Sequence, residues 1–303
     1  MAVEARRLDE LASRYLAFLK LAFHEDTGRF RNFFGYEREW LEEVGSEDSH
    51  GRTLWALGTA TMYAAEEGHR PAARGLFEQA LPVVEEFWSP RAWAFTLVGI
   101  FHYLRVVPDN EAVRHTGRAL AERLLKMHKG VASDDWMWFE NSLTYANAKL
   151  PHALILAGSV FDNDEFTEAG LEALEWLMRV QTAAEGYFEP VGNDGFYERG
   201  GEKASFDQQP IEAYTSVAAC LDAYRFSGDR EWLSGARAAF EWFLGKNSLG
   251  TPLYDAGTGG CRDGLHEDRA NENEGAESTL VWLISLLLIR FSGTFALATE
   301  EKQ

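Results

Sequence analysis

The chain contains little of what marks several common protein classes. Only 2 of its 303 residues are cysteines, too few for a disulfide framework or a cysteine-based zinc site. Its most apolar run, Leu280–Ile289, is too short to span a bilayer. The N-terminal apolar stretch is interrupted by Lys20 and does not resemble a signal peptide. We therefore expect a soluble, cytoplasmic protein with no membrane partner.

Positive charge is also scarce. The chain carries 29 Lys and Arg against 48 Asp and Glu, for a formal net charge of −19, and has no block of basic residues. Nucleic acids and anionic membranes bind proteins through such blocks, so neither is expected as a partner. Walker A and Gly-x-Gly-x-x-Gly loops are absent, as are His-Glu-x-x-His and EF-hand patterns. No cofactor and no metal site are predicted.

What the sequence does contain is helical periodicity, in about ten segments. Some segments are amphipathic, such as Glu165–Gln181, and others are apolar nearly all round, such as Ala213–Tyr224. Amphipathic helices face water and all-apolar helices are buried. Exposed and buried helices in alternation, with weak internal repetition, are typical of stacked helical hairpins. We predict an all-α fold, an (α/α) toroid, built as a single domain over residues 1–303.

Four polar and aromatic segments each lie directly before an apolar helix. They are Ser46–Arg52, Asp134–Asn141, Gly186–Pro210 and Thr258–Ser278. Carboxylates, amides, Arg and aromatic rings concentrated in the loops of a plain helical frame indicate a site for a polar ligand. The mixture suits a sugar, whose CH faces stack on aromatic rings and whose hydroxyls accept and donate hydrogen bonds.

The third segment places a carboxylate at the start of a buried helix. Pro210 belongs in the first helical turn, so Asp207 or Gln209 lies near the N-cap and Glu212 lies in that turn. The helix dipole favours an ionised Asp207 there, which suits a general base or an acceptor for a sugar hydroxyl. Simple helix capping explains the same residues.

Aromatic residues crowd the second segment. Trp136, Trp138 and Phe139 are too many large rings for a surface loop, so some of them belong to the core. The alternative is that one tryptophan is a platform for a sugar ring, with Glu140 and Asn141 as its polar neighbours.

Further candidates come from the other two segments. Glu274 and Glu277 lie three residues apart across a helix start, and two close carboxylates raise the pKa of one of them, which makes an acid at neutral pH. A solvated helix start is the alternative for this pair. Asp48, His50 and Arg52 precede another buried helix, where a lone histidine is either a hydrogen-bonded structural residue or a substrate contact.

Five motifs, spread from Asp48 to Leu280, resemble the six-hairpin glycosidase superfamily. Within it they are most similar to a set of toroid proteins found alone or fused to glycosyltransferases. The motifs are DSHGRTLWALG, WFENSLTYANAKLP, FDQQPIEA, PLYDAGTGGCRDGL and NENEGAESTL. The resemblance implies an (α/α)6-type barrel of ten to twelve helices, with a funnel at one end and a carbohydrate substrate. It also implies a glycosyltransferase as a possible partner.

The resulting prediction is a glycoside hydrolase of the inverting kind, acting on an oligosaccharide or glycoconjugate. One carboxyl group protonates the leaving oxygen, and a carboxylate roughly 6.5–9.5 Å away activates water. The predicted catalytic residues are Asp207, Glu277 and Glu140. The predicted substrate-binding residues are Asp48, His50, Arg52, Trp138, Asn141, Tyr145, Tyr197, Gln208, Gln209, Glu212, Arg262, Asp263 and Glu274.

Two alternatives remain open. A sugar epimerase or isomerase requires a pair of histidines as proton shuttles, for which His50, His152 and His266 are the candidates. A non-catalytic glycan-binding module serving a glycosyltransferase requires the aromatic and amide side chains but no acid–base pair.

Overall fold

The computed structural model describes residues 2–66 and 68–300, and this part of the chain is all-α, as predicted. None of its helices is long and apolar enough to cross a membrane. The helices are α1 (Ala2–Ala22), α2 (Glu47–Tyr63), α3 (His69–Ala80), α4 (Pro90–Leu104), α5 (Glu111–Val131), α6 (Lys149–Phe161), α7 (Asp164–Val180), α8 (Pro210–Ser227), α9 (Glu231–Phe243) and α10 (Ala276–Glu300).

Two short pairs of antiparallel strands and a 3-10 helix complete the regular structure of the described residues. The 3-10 helix, Pro82–Glu86, lies between α3 and α4. In the strand pairs, β1 (Phe23–His24) pairs with β2 (Arg29–Phe30), and β3 (Ser142–Leu143) pairs with β4 (Tyr197–Glu198).

The chain divides into two compact units. The first comprises Met1–Leu125 with Leu156–Thr167, and the second comprises Lys126–Ile155 with Glu168–Gln303. The single domain predicted over residues 1–303 stays a prediction, and its range includes positions 1, 67 and 301–303, which lie outside the described residues.

In the first unit, α2 and α4 pack backbone against backbone. A Cβ atom on Gly58 would lie 2.2 Å from the carbonyl oxygen of Gly99, and one on Gly99 would lie 2.5 Å from that of Leu54. Both distances are far below van der Waals contact, so only glycine fits at these two positions. Serine side chains cap both helices: Ser46 accepts from the Ser49 N–H, and Ser89 accepts from the Ala92 N–H.

In the second unit, α8 packs against α9 and α10 and is buried along most of its length. Pro210 occupies the first turn of α8 and Gln209 is its N-cap, as the sequence predicts. Gly228 ends the helix at φ 74°, in the left-handed conformation that glycine adopts without strain. Cys220, in the middle of α8, is completely buried.

We expect Gly58→Ala to lower the free energy of unfolding by roughly 2 kcal/mol or more, because α2 and α4 must separate to admit the methyl group. Gly75→Ala in α3 is the matched control, since a Cβ there meets nothing within 4 Å. Alanine's higher helix propensity should make that variant stabilising, by up to about 1 kcal/mol. Urea denaturation measures both, and equal effects at the two positions would contradict the close helix contact.

Candidate active site

The segment before α8 is anchored by the buried side chain of Gln208. Its carbonyl oxygen accepts a hydrogen bond from the Trp242 indole at 2.8 Å. Its amide nitrogen donates to the Ser205 carbonyl at 3.0 Å and to the Ser248 hydroxyl at 3.2 Å. Because this amide is satisfied inside the core, the backbone beside it is fixed and so is the neighbouring residue, Asp207. The prediction that Gln208 contacts substrate is wrong, since its side chain is 0% exposed.

The loop Thr258–Ser278 lies against the same segment. Leu265 and Gln208 exchange two backbone hydrogen bonds, at 2.9 and 3.0 Å. Gly264 permits this approach, because a Cβ atom there would lie 2.5 Å from the Gln208 carbonyl oxygen. The pairing places His266, the residue after Leu265, beside the start of α8.

Asp207 and His266 form a partly exposed pair. The Asp207 Oδ1 atom lies 2.5 Å from Nδ1 of His266, and the two side chains are 38% and 30% exposed. Among the described residues, Oδ2 of Asp207 and Nε2 of His266 have no further hydrogen-bond partner. A histidine that donates from Nδ1 holds a carboxylate in one orientation. The sequence predicts Asp207 as a catalytic carboxylate, but it suggests His266 only as a proton shuttle of an isomerase. Nothing local in the sequence links positions 207 and 266.

The carboxylate of Asp263 caps α10. It accepts hydrogen bonds from the Gly275 N–H at 2.8 Å and from the Asn273 side chain. Partial burial acts to raise the pKa of Asp263, but hydrogen bonds from Ser278, Asn273 and Gly275 outweigh it, so the pKa lies below the usual aspartate value. Asp263 is therefore ionised and holds the start of α10, a role closer to helix capping than to the predicted contact with sugar hydroxyls.

Other charged residues of this loop lie near its surface. Glu274 accepts a hydrogen bond from the Thr258 hydroxyl at 2.7 Å, which braces the loop internally. The guanidinium of Arg262 is 4.0 Å from the carboxylate of Asp255, and both side chains are about one-third exposed. Glu277 is exposed in the first turn of α10. Arg262 and Glu277 thus remain accessible to a ligand.

The second segment is mostly core. Trp138 is 0% exposed and packs against Phe139 and Trp176, with ring centroids 5.2 and 5.9 Å apart. A completely buried ring has no face for a sugar, so the prediction of Trp138 as a platform is wrong and the packing alternative is correct. Tyr197 is half-buried, with its ring 5.1 Å from that of the buried Trp136.

The polar neighbours of these rings are more accessible. Asn141 is exposed, and its carbonyl accepts the Arg199 N–H at 2.8 Å. Glu140 is half-buried, and its carbonyl accepts a hydrogen bond from the Trp136 indole at 2.8 Å. Tyr145 is half-buried in the loop before α6. These three residues keep enough exposure to contact a ligand.

Glu212 has a structural role in the core. Its side chain, in the first turn of α8, accepts hydrogen bonds from the N–H groups of Ala146 and Asn147, and from the Asn147 side-chain amide at 2.9 Å. The residue is 2% exposed. A buried carboxylate must be hydrogen-bonded to be tolerated, and Glu212 meets that need by holding the loop before α6. The predicted substrate contact of Glu212 is therefore wrong.

In the first unit, His50 is also structural. Its Nδ1 accepts the Phe30 N–H at 3.4 Å, and its Nε2 lies 2.9 Å from the Ala80 carbonyl oxygen. The residue is 0% exposed, which overturns the prediction of substrate contact. Burial lowers the pKa of His50 to about 4, and the backbone hydrogen bond to Ala80 only partly opposes that effect.

Asp48 and Arg52 remain accessible in the same unit. They form an ion pair at 2.7 Å across one turn of α2, with side chains 26% and 28% exposed. The Arg52 guanidinium also lies 4.6 Å from the centroid of the Phe95 ring. The described residues contain no cluster of three or more His, Cys, Asp or Glu side chains that could hold a metal ion.

No protein-family model matches the chain, and no curated protein matches it by sequence. Solved structures match it in fold. An unsaturated glucuronyl hydrolase specific for heparin superposes with a TM-score of 0.68 at 14% identity, covering 95% of this chain and 78% of that one. A D-mannose isomerase superposes with a TM-score of 0.67 at 13% identity, covering 97% of this chain and 84% of that one.

A third match is an α-1,6-mannanase from Salegentibacter, with a TM-score of 0.59 at 13% identity, covering 82% of this chain and 72% of that one. That structure is an inactive variant, with two consecutive aspartates replaced by asparagine, in complex with α-1,6-mannotriose. These matches confirm the predicted fold class: the chain has the (α/α)6-type toroid fold.

The low pKa of His50 predicts a pH dependence of stability. An unfolded histidine takes up a proton near pH 6.5, whereas native His50 stays neutral down to about pH 4. Between these values the unfolded state binds more protons, so the free energy of unfolding should fall as the pH falls, by up to about 3 kcal/mol for this residue. Denaturation from pH 7 to 4 should show a shallower decline in His50→Gln, which cannot titrate. Identical slopes would contradict this account.

Proposed function

We propose that this protein is a glycoside hydrolase that acts on an oligosaccharide or glycoconjugate with inversion, and that Asp207 is the carboxylate that activates water. The observation that carries the proposal is the Asp207–His266 pair, which lies at the N-terminus of a buried helix and is open on one side. The carbohydrate-active enzymes that share the fold support the substrate class.

The pair is suited to proton transfer. His266 holds Oδ1 of Asp207, which leaves Oδ2 to accept a proton from water while that water attacks the anomeric carbon. A protonated carboxyl group must donate to the leaving oxygen at the same time. Glu277, exposed in the first turn of α10, is our first candidate for this acid, and Glu140 is the second.

The histidines argue against the isomerase alternative. That chemistry requires a pair of accessible shuttles, yet His50 is 0% exposed and His152 is 3% exposed. His152 is bound to the Asp222 carboxylate at 2.9 Å. Only His266 of the three candidates is accessible. A glycan-binding module, alone or beside a glycosyltransferase partner, is the remaining alternative and requires no acid–base pair.

A second carboxylate pair has a specific observation in its favour. Asp134 and Asp135 are consecutive and exposed in a turn after α5. The matched mannanase is inactive when two consecutive aspartates are replaced with asparagine. Asp135 is partly committed, since it accepts a hydrogen bond from the Ser133 hydroxyl at 2.5 Å. Asp134→Asn therefore belongs beside the Asp207 variants in any activity screen.

Asp207→Asn should reduce turnover by roughly 100-fold or more, because an amide cannot accept the proton from water, while oligosaccharide binding persists. The screen uses defined di- and oligosaccharides with and without phosphate, read by product chromatography. Asp268→Asn is the matched control, since Asp268 is a 74% exposed aspartate of the neighbouring loop. Cleavage only with phosphate would make the protein a phosphorylase. Binding without cleavage by the wild type would contradict the hydrolase and favour the glycan-binding module.

His266→Ala should lower kcat by roughly tenfold or more with little change in KM, because the carboxylate loses its fixed orientation rather than its contact with substrate. His266→Asn should recover part of the loss, since its amide can donate to Asp207 from near the Nδ1 position. Adding His266→Ala to Asp207→Asn should then cost little more, because both changes remove one interaction. Fully additive losses would show that the two residues act independently.

A further inference from the structure

Trp88 is unusual among the tryptophans of this chain because its side chain lies almost entirely in solvent. It is 86% exposed, whereas Trp93 and Trp138 are 8% and 0% exposed. An indole ring carries a large apolar surface, which normally finds cover in a folded protein. The face of the Trp88 ring is therefore open to stacking by a ligand.

The backbone that carries Trp88 is held in place from both sides. The residue before it, Phe87, is 3% exposed and lies under the guanidinium of Arg29, 4.5 Å from its ring centroid. The residue after it, Ser89, is the N-cap of α4. The Trp88 ring therefore projects from a rigid connection between the 3-10 helix and a buried helix.

Glu47 fixes the same connection. One oxygen of its carboxylate, Oε2, accepts the backbone N–H of Trp88 at 2.9 Å and that of Ser89 at 2.8 Å. Glu47 is itself in the first turn of α2, so the ends of two buried helices are tied together at the base of Trp88. A preorganised backbone reduces the entropy lost when a ligand settles on the ring.

The surroundings of Trp88 in the chain are acidic rather than apolar. Glu85 and Glu86, shortly before it, are exposed, and the carboxylate of Glu47 contacts its backbone. An interface for another protein would present further apolar residues around a tryptophan anchor. One apolar ring among carboxylates matches a sugar instead, with CH groups for stacking and hydroxyls as donors to carboxylates.

We propose that Trp88 is a carbohydrate-binding platform, on which a pyranose ring stacks while neighbouring carboxylates accept its hydroxyl hydrogen bonds. The class of ligand rests on the proposed function, but the platform does not depend on catalysis. A glycosidase needs contacts to sugar units beyond the cleaved bond, and so does a glycan-binding module.

Calorimetric titration with α-1,6-mannotriose, cellobiose and a heparin-derived disaccharide tests the platform. We use Asp207→Asn as the parent so that no probe is consumed. Adding Trp88→Ala should weaken the binding of at least one probe by roughly threefold to tenfold, the effect of losing one aromatic stack. Trp88→Phe should retain part of the affinity. Tyr36→Ala is the control, since Tyr36 is 100% exposed in a different loop of the same unit.

Two outcomes overturn the platform: equal affinities in the parent and the Trp88→Ala variant, or no binding of any probe by the parent. A change in molar mass on Trp88→Ala, measured by light scattering, would make the residue an oligomer contact and would overturn it too. Failure of the hydrolase proposal can be distinguished from failure of the platform proposal. A protein that binds sugar through Trp88 but cleaves nothing would contradict only the hydrolase proposal.

Discussion

The candidate site depends on one buried amide, the side chain of Gln208. Its three hydrogen bonds inside the core fix the backbone at the start of α8, and its own backbone binds the strand-like segment around Leu265. An unsatisfied amide at this depth would cost about 1–3 kcal/mol, so the arrangement is strongly determined. Asp207 precedes Gln208 and His266 follows Leu265. The two side chains meet because Gln208 and Leu265 are paired through their backbones.

A related constraint gives the polar residues before buried helices a structural role. A helix that starts inside the protein must satisfy its first N–H groups without water. This chain uses carboxylates for that purpose: Glu212 binds the loop before α6, Asp263 caps α10, and Glu47 ties the start of α4 to α2. A carboxylate near a helix start therefore has a structural use in this fold, whether or not it meets substrate.

The helical periodicity and the composition of the sequence were sufficient to predict the fold class. The segment Ala213–Tyr224, apolar nearly all round, lies in the buried helix α8, and Pro210 and Gln209 sit at the predicted start of that helix. The fold class could be predicted because the spacing of apolar residues, a local property of the sequence, indicates which helices are buried. Aromatic residues were less informative, since Trp138 is core and the exposed indole belongs to Trp88, which the sequence did not single out.

The sequence by itself determined the all-α fold, the position of the buried helix α8 and the choice of Asp207 as a candidate carboxylate, because each depends on neighbours within a few turns of chain. Only the tertiary structure decided which polar residues are exposed. Asp207 meets His266 across 59 positions, while His50 and Glu212 turn inward to satisfy backbone groups. The exposure and the pairing of these side chains depend on contacts between residues distant in the chain, which residue spacing cannot predict.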